Sequence, residues 1–204
     1  MACEVCAEPT MSNASERPGI NQSSVPPWRS RLRGAREREG RQPTARWLQL
    51  ATLAVDGTPR VRTLVFRGWS GPESLELYTD SRSDKADELK RQAAVELCWL
   101  LPKAKHQYRL RGTVVHQPND VRSLRWKTLS PQGRALWGWP APGKPFDANA
   151  NFVETLDDSA GLPDHFLVLQ VEITRVELLD LTRHPHERLL WKRSENWQER
   201  KLNP

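Results

Sequence analysis

The feature that most limits the fold is a succession of short apolar segments separated by turn residues. The clearest pair, Trp47–Val55 and Val61–Phe66, flanks the turn sequence Asp56-Gly57, a strong signal for a β-hairpin. Six or more short strands with few helices predict a mostly β fold with a few helices (α+β), closed into a barrel. The other strand candidates are Leu75–Thr79, Val95–Leu101, Gln107–His116, Phe166–Leu181, and a final hairpin of Arg188–Lys192 and Trp197–Leu202 that turns at Ser194–Asn196.

Three segments have helical spacing instead. In Trp28–Glu39, apolar residues recur every three or four positions, and the preceding Pro27 suits a first helical turn. Asp84–Gln92 is predicted as a short helix with one apolar face, and Asn119–Leu129 as a third helix.

Residues 130–162 have few regular patterns and are rich in Pro and Gly. They also contain Trp137, Trp139 and Phe146, large aromatic side chains that need a surface to contact. We expect a loop with short helices that covers another part of the molecule or contacts a partner subunit. The three aromatic residues are expected either to pack there or to stack on a bound molecule.

Length and composition favour one domain with a tail. The chain has 204 residues, 37% of them hydrophobic, which is ample for a hydrophobic core. Residues 1–26 have few large apolar side chains, which predicts a disordered N-terminal tail before a domain at 27–204. Cys3 and Cys6 in this tail have C-x-x-C spacing, but a closed zinc site needs four ligands and the sequence has no second Cys pair. No metal site is expected.

The expected compartment is the cytoplasm. No apolar run approaches the roughly 18–20 residues of a membrane-spanning helix, so no membrane association is expected. The first ten residues lack the basic and apolar regions of a secretory signal. Three Cys residues, an odd number, do not build a disulfide framework.

The net charge of +6, from 31 Lys and Arg against 25 Asp and Glu, permits several anionic partners. Nucleic acid is one, because the helix at 28–39 carries many arginines on its polar face. That face also contains Glu37 and Glu39 and has no aromatic residues interleaved for base stacking. We therefore expect it to be a solvated helix face, and nucleic acid is not the expected partner.

Basic and hydroxyl side chains gather at the ends of predicted strands and at one helix start. Arg62 and Arg67 bracket an apolar strand, and Tyr78-Thr79-Asp80 ends the next strand. Ser81–Ala86 then leads into the predicted helix at 84–92. This arrangement brings together donors that suit a phosphate group.

The helix start itself allows two interpretations. Ser81 or Ser83 can cap the helix, which explains the serines without a ligand. Arg82 and Lys85 are less well explained, because a positive charge in the first turn opposes the helix dipole unless an anion binds nearby. The segment thus favours a phosphate site, with capping as the alternative.

The order of these segments resembles that of the pyridoxamine 5'-phosphate oxidase family of FMN-binding split barrels. The matching segments, in chain order, are Arg62–Arg67, Tyr78-Thr79, Ser83–Ala86, Gln107, Arg188–Trp191 and Lys201–Pro204. The likeness covers about residues 27–204 and is strongest to an oxidase-like branch from cyanobacteria and plants. It implies a split β-barrel, FMN as the cofactor and a homodimer.

The resemblance also implies residue roles. The strand from Arg62 to Arg67 would lie along the flavin, and Gln107 would donate to the isoalloxazine ring from the adjacent subunit. Arg188 would approach the N1–O2 edge, where positive charge stabilises reduced, anionic flavin. The implied catalytic residues are His186 and Arg188. The implied cofactor-binding residues are Arg62, Thr63, Leu64, Val65, Arg67, Tyr78, Thr79, Arg82, Ser83, Lys85, Gln107 and Arg188.

Some positions depart from the family pattern. Asp84 stands where the family has Arg, and Arg82 is expected to substitute for it. On the substrate side, Arg67 stands where the family has Lys, Trp126 lies near the position of a Tyr, and His184 replaces an Arg. The resemblance therefore supports FMN binding more strongly than oxidation of pyridoxamine phosphate.

The function expected from the resemblance is that of an FMN-dependent oxidoreductase. A small-molecule donor, with or without a phosphate, passes a hydride to FMN, and oxygen or another acceptor reoxidises it. Two alternatives stay open: a flavin-binding protein without turnover, and a flavin reductase with a different substrate.

Overall fold

The strands of the computed structural model, which describes residues 25–204, confirm the predicted mostly β fold. The predicted hairpin forms from β1 (Trp47–Leu53) and β2 (Pro59–Gly71). The remaining strands are β3 (Ser74–Asp80), β4 (Ala94–Leu101), β5 (His106–His116), β6 (Phe166–Asp180), β7 (Glu187–Lys192) and β8 (Arg200–Leu202). The helices are α1 (Pro27–Glu39), α2 (Asp84–Arg91), α3 (Asn119–Lys127) and the short α4 (Pro131–Arg134).

A closed six-stranded barrel is the centre of the fold. Antiparallel pairing joins the strands in the order β3-β2-β1-β4-β5-β6, and β3 also pairs with β6 from Ser74↔Glu172 to Asp80↔Phe166. The first and last strands of the ring therefore meet, which leaves no free edge between them. Strands β7 and β8 extend the sheet beyond β6. This architecture agrees with the expected split β-barrel.

Close contact between β5 and β6 requires a glycine at position 112. The register between these strands shifts between Arg111 and Gly112. A Cβ atom on Gly112 would lie 2.3 Å from the carbonyl oxygen of Glu172. Any side chain would force the two backbones apart, so the close approach depends on glycine.

Helix α1 closes one end of the barrel core. Its residues Trp28 and Leu32 are completely buried, as their helical spacing predicted. The Trp28 ring packs against Trp69 and Trp197, with centroids 5.9 and 5.7 Å away. Burying each of these large apolar side chains contributes about 1.5–3 kcal/mol.

A second, smaller apolar cluster joins the predicted loop to the barrel. Trp126 of α3 and Trp137 pack around Phe166 and Val168 of β6. The expectation that residues 130–162 form a loop with short helices holds, because they contain α4 and two 3-10 turns. Trp137 thus packs in this cluster.

The prediction of the last strand is wrong for the first half of Trp197–Leu202. Trp197 has a φ of 58° and follows a 3-10 turn, so the strand begins only at Arg200. The left-handed conformation directs the buried indole towards Trp28, and its Nε1 donates to Glu73. Packing in the core therefore overrides strand propensity here.

Two other predictions concern the N-terminus and membranes. Most of the predicted tail at 1–26, including Cys3 and Cys6, lies outside the described residues. Within residues 25–204, every helix is too short or too polar to cross a membrane.

Candidate functional site

A cavity of about 460 Å³ lies between the barrel wall and the loop that follows α4. Its size falls within the range of small-molecule and cofactor sites. The barrel side brings together seven of the twelve predicted cofactor-binding residues: Thr63, Leu64, Val65, Arg67, Tyr78, Thr79 and Lys85. They come from three elements that adjoin in the fold, namely β2, β3 and the start of α2.

The N–H groups at the start of α2 have no side-chain cap. Ser83 occupies the N-cap position, but its hydroxyl donates to the carbonyl of Asp80 at 2.6 Å and accepts no bond from a backbone N–H of the helix. The Lys85 ammonium lies 2.9 Å from the Ser83 Oγ. Burial, with the nearby charge of Arg62, lowers the pKa of Lys85 below its usual range. An anion at this point would relieve both effects, because it supplies negative charge beside a half-buried cation.

The predicted phosphate ligand Arg82 instead has a carboxylate partner. Its guanidinium forms a forked pair with Asp80, with the shortest contact at 2.6 Å. Burial raises the pKa of Asp80, but the hydrogen bonds from Arg82 outweigh this and hold it below its usual range. Arg82 also donates to the carbonyl of Trp139 at 3.1 Å. It therefore ties the loop to the start of α2 and does not line the cavity.

Arg62 lies behind the cavity wall. Its guanidinium forms an ion pair of 2.8 Å with the buried Glu88 of α2 and donates to Thr52 of β1. The Thr52 hydroxyl donates to Glu88 as well. These contacts attach α2 to the barrel and so position the helix start beside the cavity.

Two polar atoms of the cavity wall are buried without a hydrogen-bond partner among the residues described. They are Oγ1 of Thr79 and Nε of Arg67. The Arg67 guanidinium also lies 5.0 Å from the ring centroid of Tyr78, and burial lowers its pKa. Unsatisfied buried donors are costly, so their presence indicates a bound group that completes their hydrogen bonds.

Three predicted residues lie away from the cavity within one chain. Gln107 is the second residue of β5, and Arg188 pairs with Glu177 at 2.7 Å. His186 is exposed, and its Nδ1 lies 3.0 Å from the carbonyl of Arg183. A single chain therefore does not bring them to the cavity.

The opposite wall of the cavity was not assigned from the sequence residue by residue. It consists of Leu136, Trp137, Trp139, Pro140–Asp147 and Phe152. Trp139 is fixed by its Nε1, which donates to the carbonyl of Val153 at 2.8 Å. Phe146 is exposed and stacks on Phe152, with centroids 5.8 Å apart. The aromatic residues within a Pro-rich and Gly-rich loop were the only signal available.

The residues of the cavity fit FMN. Lys85 and the open helix start of α2 provide the charge and donors for a phosphate. Leu64, Val65 and Tyr78 provide an apolar wall for a flat ring system, and Thr79 and Arg67 bring buried donors that have no partner within residues 25–204.

Comparison with known proteins agrees with this fit. A family model described as the FMN-binding domain of pyridoxamine 5'-phosphate oxidase matches residues 25–117. The chain is 29% identical over 196 residues to pyridoxine/pyridoxamine 5'-phosphate oxidase 2 of Arabidopsis thaliana, covering 88% of this chain and 98% of the relative. It is 27% identical to a pyridoxine/pyridoxamine 5'-phosphate oxidase of Salinibacter ruber, covering 92% of each chain.

A solved structure extends the likeness to the whole fold. The crystal structure of a pyridoxamine 5'-phosphate oxidase-related, FMN-binding protein from Nostoc punctiforme superposes with a TM-score of 0.80 at 33% identity. The match covers 89% of this chain and 100% of that one. The chain therefore belongs to the pyridoxamine 5'-phosphate oxidase family of FMN-binding split barrels, and its cofactor is FMN.

Proposed function

We propose that this protein is an FMN-dependent oxidoreductase that acts on a small molecule as a homodimer. The observation that carries the proposal is the cavity at β2, β3 and α2, with its unpartnered donors on Thr79 and Arg67. When bound there, FMN supplies two-electron transfer, accepting a hydride from the donor and passing the electrons to oxygen or another acceptor.

The chain's own residues hold and orient the cofactor. Lys85 and the N–H groups at the start of α2 bind the phosphate, and Thr79 donates beside them. The loop wall with Trp139 and Phe146 excludes water from the reacting face and contacts the substrate. Arg82 keeps that wall in place through its bond to the Trp139 carbonyl.

A second copy of the chain completes the site. Gln107, Leu179 and Arg188 are cross-strand neighbours, so their side chains share one face of the sheet. That face is the outer one, because Tyr108, Leu178 and Leu189 in the adjacent row are buried in the core. In the dimer, this outer row faces the partner's cavity, where Arg188 provides positive charge at the flavin ring and Gln107 provides a donor.

A complementation experiment tests this arrangement. Lys85→Gln impairs the phosphate side of a site and Arg188→Gln impairs the ring side, so each variant alone has two defective sites per dimer. Mixed dimers from co-expression of the two variants contain one site with both natural residues. We expect them to recover tight FMN binding and flavin reduction at one site per dimer. A site formed within one chain would give no recovery, and a monomeric mass in light scattering would also contradict the proposal.

The substrate to test first is pyridoxamine 5'-phosphate, because the relatives are named for it. The FMN-loaded protein is incubated with it in air and assayed for pyridoxal 5'-phosphate. Formation of this product identifies an oxidase. If no product forms, anaerobic loss of the oxidised flavin absorbance on addition of NADH or NADPH identifies a flavin reductase. A flavin that is reduced by neither class of donor would contradict the enzyme proposal and favour a flavin-binding protein without turnover.

A further inference from the structure

A second cavity lies at the end of the barrel under helix α1. Its volume is about 330 Å³, and Arg31, Arg38 and Arg183 line it together with His106 and Asp180. Three guanidinium groups against one carboxylate give this cavity an excess of positive charge. It therefore suits an anion.

The arginines differ in how far their charge is already balanced. Arg31 pairs with Glu199 at 3.1 Å, and Arg183 lies 3.9 Å from Glu187. Arg38, in contrast, has no carboxylate within ion-pair distance among residues 25–204, and so its charge is available to a ligand.

The inner wall of the cavity carries a polar atom without a partner in the described chain. Nε2 of His106 lies 3.4 Å from Asp180, but its Nδ1 is buried and unsatisfied. Tyr108 is completely buried, and its hydroxyl also has no hydrogen-bond partner. Its ring lies 6.0 Å from that of His106. Tyr108 does not line the cavity, and its ring belongs to the barrel core.

The Asp180 carboxylate influences which ring nitrogen of His106 carries the proton. Both bonds from Thr182, through its backbone N and its hydroxyl, go to Oδ1 of Asp180, at 2.8 and 2.5 Å, which leaves Oδ2 for His106. Nε2 lies 3.4 Å from this oxygen, and the carboxylate favours a proton on Nε2, which makes Nδ1 of the neutral ring an acceptor. Burial favours the neutral ring by lowering the pKa of His106, although Asp180 opposes this.

We propose that this cavity binds inorganic phosphate in a form that keeps one proton. The phosphate oxygens accept from Arg38, and the remaining P–OH donates to Nδ1 of His106. This pattern satisfies the unpartnered Nδ1 of His106, whereas an anion without a hydroxyl leaves it unsatisfied.

The proposed site is separate from the flavin cavity. His106 and Tyr108 lie on the inner face of β5, while Gln107 between them lies on the outer face. The two cavities share no lining residue. Phosphate binding here is consequently independent of the proposed enzyme function and of FMN.

The test is calorimetric titration of the FMN-saturated protein with inorganic phosphate near neutral pH, followed by sulfate and methyl phosphate. FMN saturation occupies the flavin site, and an unchanged flavin spectrum during the titration shows that it stays occupied. We expect phosphate to bind about tenfold more tightly than sulfate, since sulfate has no proton to donate to His106. Methyl phosphate, largely deprotonated at this pH, is also expected to bind more weakly.

Matched variants locate the binding. Arg38→Gln should weaken phosphate binding about tenfold. Arg33→Gln, an exposed position on the same helix that lies 3.8 Å from Glu37, should leave it unchanged. The proposal is overturned by absence of phosphate binding, by equal affinity for sulfate or methyl phosphate, or by unchanged phosphate affinity in Arg38→Gln.

Discussion

Replacing Lys85 by Gln isolates the contribution of the phosphate end of the flavin site. The ammonium is half-buried at the start of α2, 2.9 Å from Ser83, and no carboxylate lies within ion-pair distance of it in residues 25–204. A charge-assisted hydrogen bond of this kind contributes about 1.5–3 kcal/mol, so the FMN dissociation constant should rise roughly 10- to 150-fold. Fluorescence titration of apoprotein with FMN measures this constant directly. An exposed lysine on the same helix, Lys90, is paired with Asp87 at 2.9 Å, and Lys90→Gln provides the matched control.

In the apoprotein, the same substitution is expected to leave the stability of the fold unchanged or to raise it. Burial lowers the pKa of Lys85 in the folded state, so its charged form destabilises the fold when no anion is bound. This destabilisation is present below the folded pKa and is lost as the pH rises towards the unfolded value. Lys85→Gln should therefore leave the urea midpoint of the apoprotein at pH 7 unchanged or higher. A lower midpoint together with unchanged FMN affinity would refute the reasoning, because Lys85 would then be a structural residue.

Three further predictions concern the scaffold. Gly112→Ala should lower the free energy of unfolding by about 1–3 kcal/mol in urea denaturation, because its Cβ would lie 2.3 Å from a carbonyl oxygen of β6; a change below about 0.5 kcal/mol would contradict this close approach. Glu88→Gln removes the partner of Arg62 and should cost about 1.5–3 kcal/mol, so stability equal to the natural protein would show that the pair does not anchor α2. The pKa of Asp80 is lowered, so its stabilising contribution is present above about pH 3.9 and is lost as the pH falls through the folded pKa; Asp80→Asn should flatten the acid side of the stability profile, and an unchanged profile would argue against the Arg82 pair.

The order of elements could be predicted from the sequence because local patterns determine it. The Asp56-Gly57 turn and the flanking apolar runs gave the first hairpin, and Trp28 and Leu32 marked the buried face of α1. Barrel closure through β3 and β6 could not be predicted from local patterns, because it joins strands more than 85 residues apart in the sequence. Trp197 adopts a conformation that its type disfavours, and only its contacts in the core explain it.

The candidate site, like the fold, could be predicted from the sequence only in part. Residues on regular elements, such as Thr79 and Lys85, follow from motif order and converge as expected at one cavity. The loop wall with Trp139 and Phe146 has no periodicity from which a facing direction could be predicted. The pairing of Arg82 with Asp80 was also missed, because two residues next to a helix start can contact each other as readily as a ligand.

The most direct test is the visible absorbance spectrum of the apoprotein during titration with FMN. Pyridoxamine 5'-phosphate, or NADH or NADPH, is then added anaerobically as the electron donor. We predict saturation at one FMN per chain, with a flavin spectrum that differs from that of free FMN, and loss of the oxidised bands when the donor is added. The oxidised bands should return on admission of air. A spectrum that stays identical to that of free FMN, without saturation, would contradict the assignment of this cavity as the flavin site of an oxidoreductase.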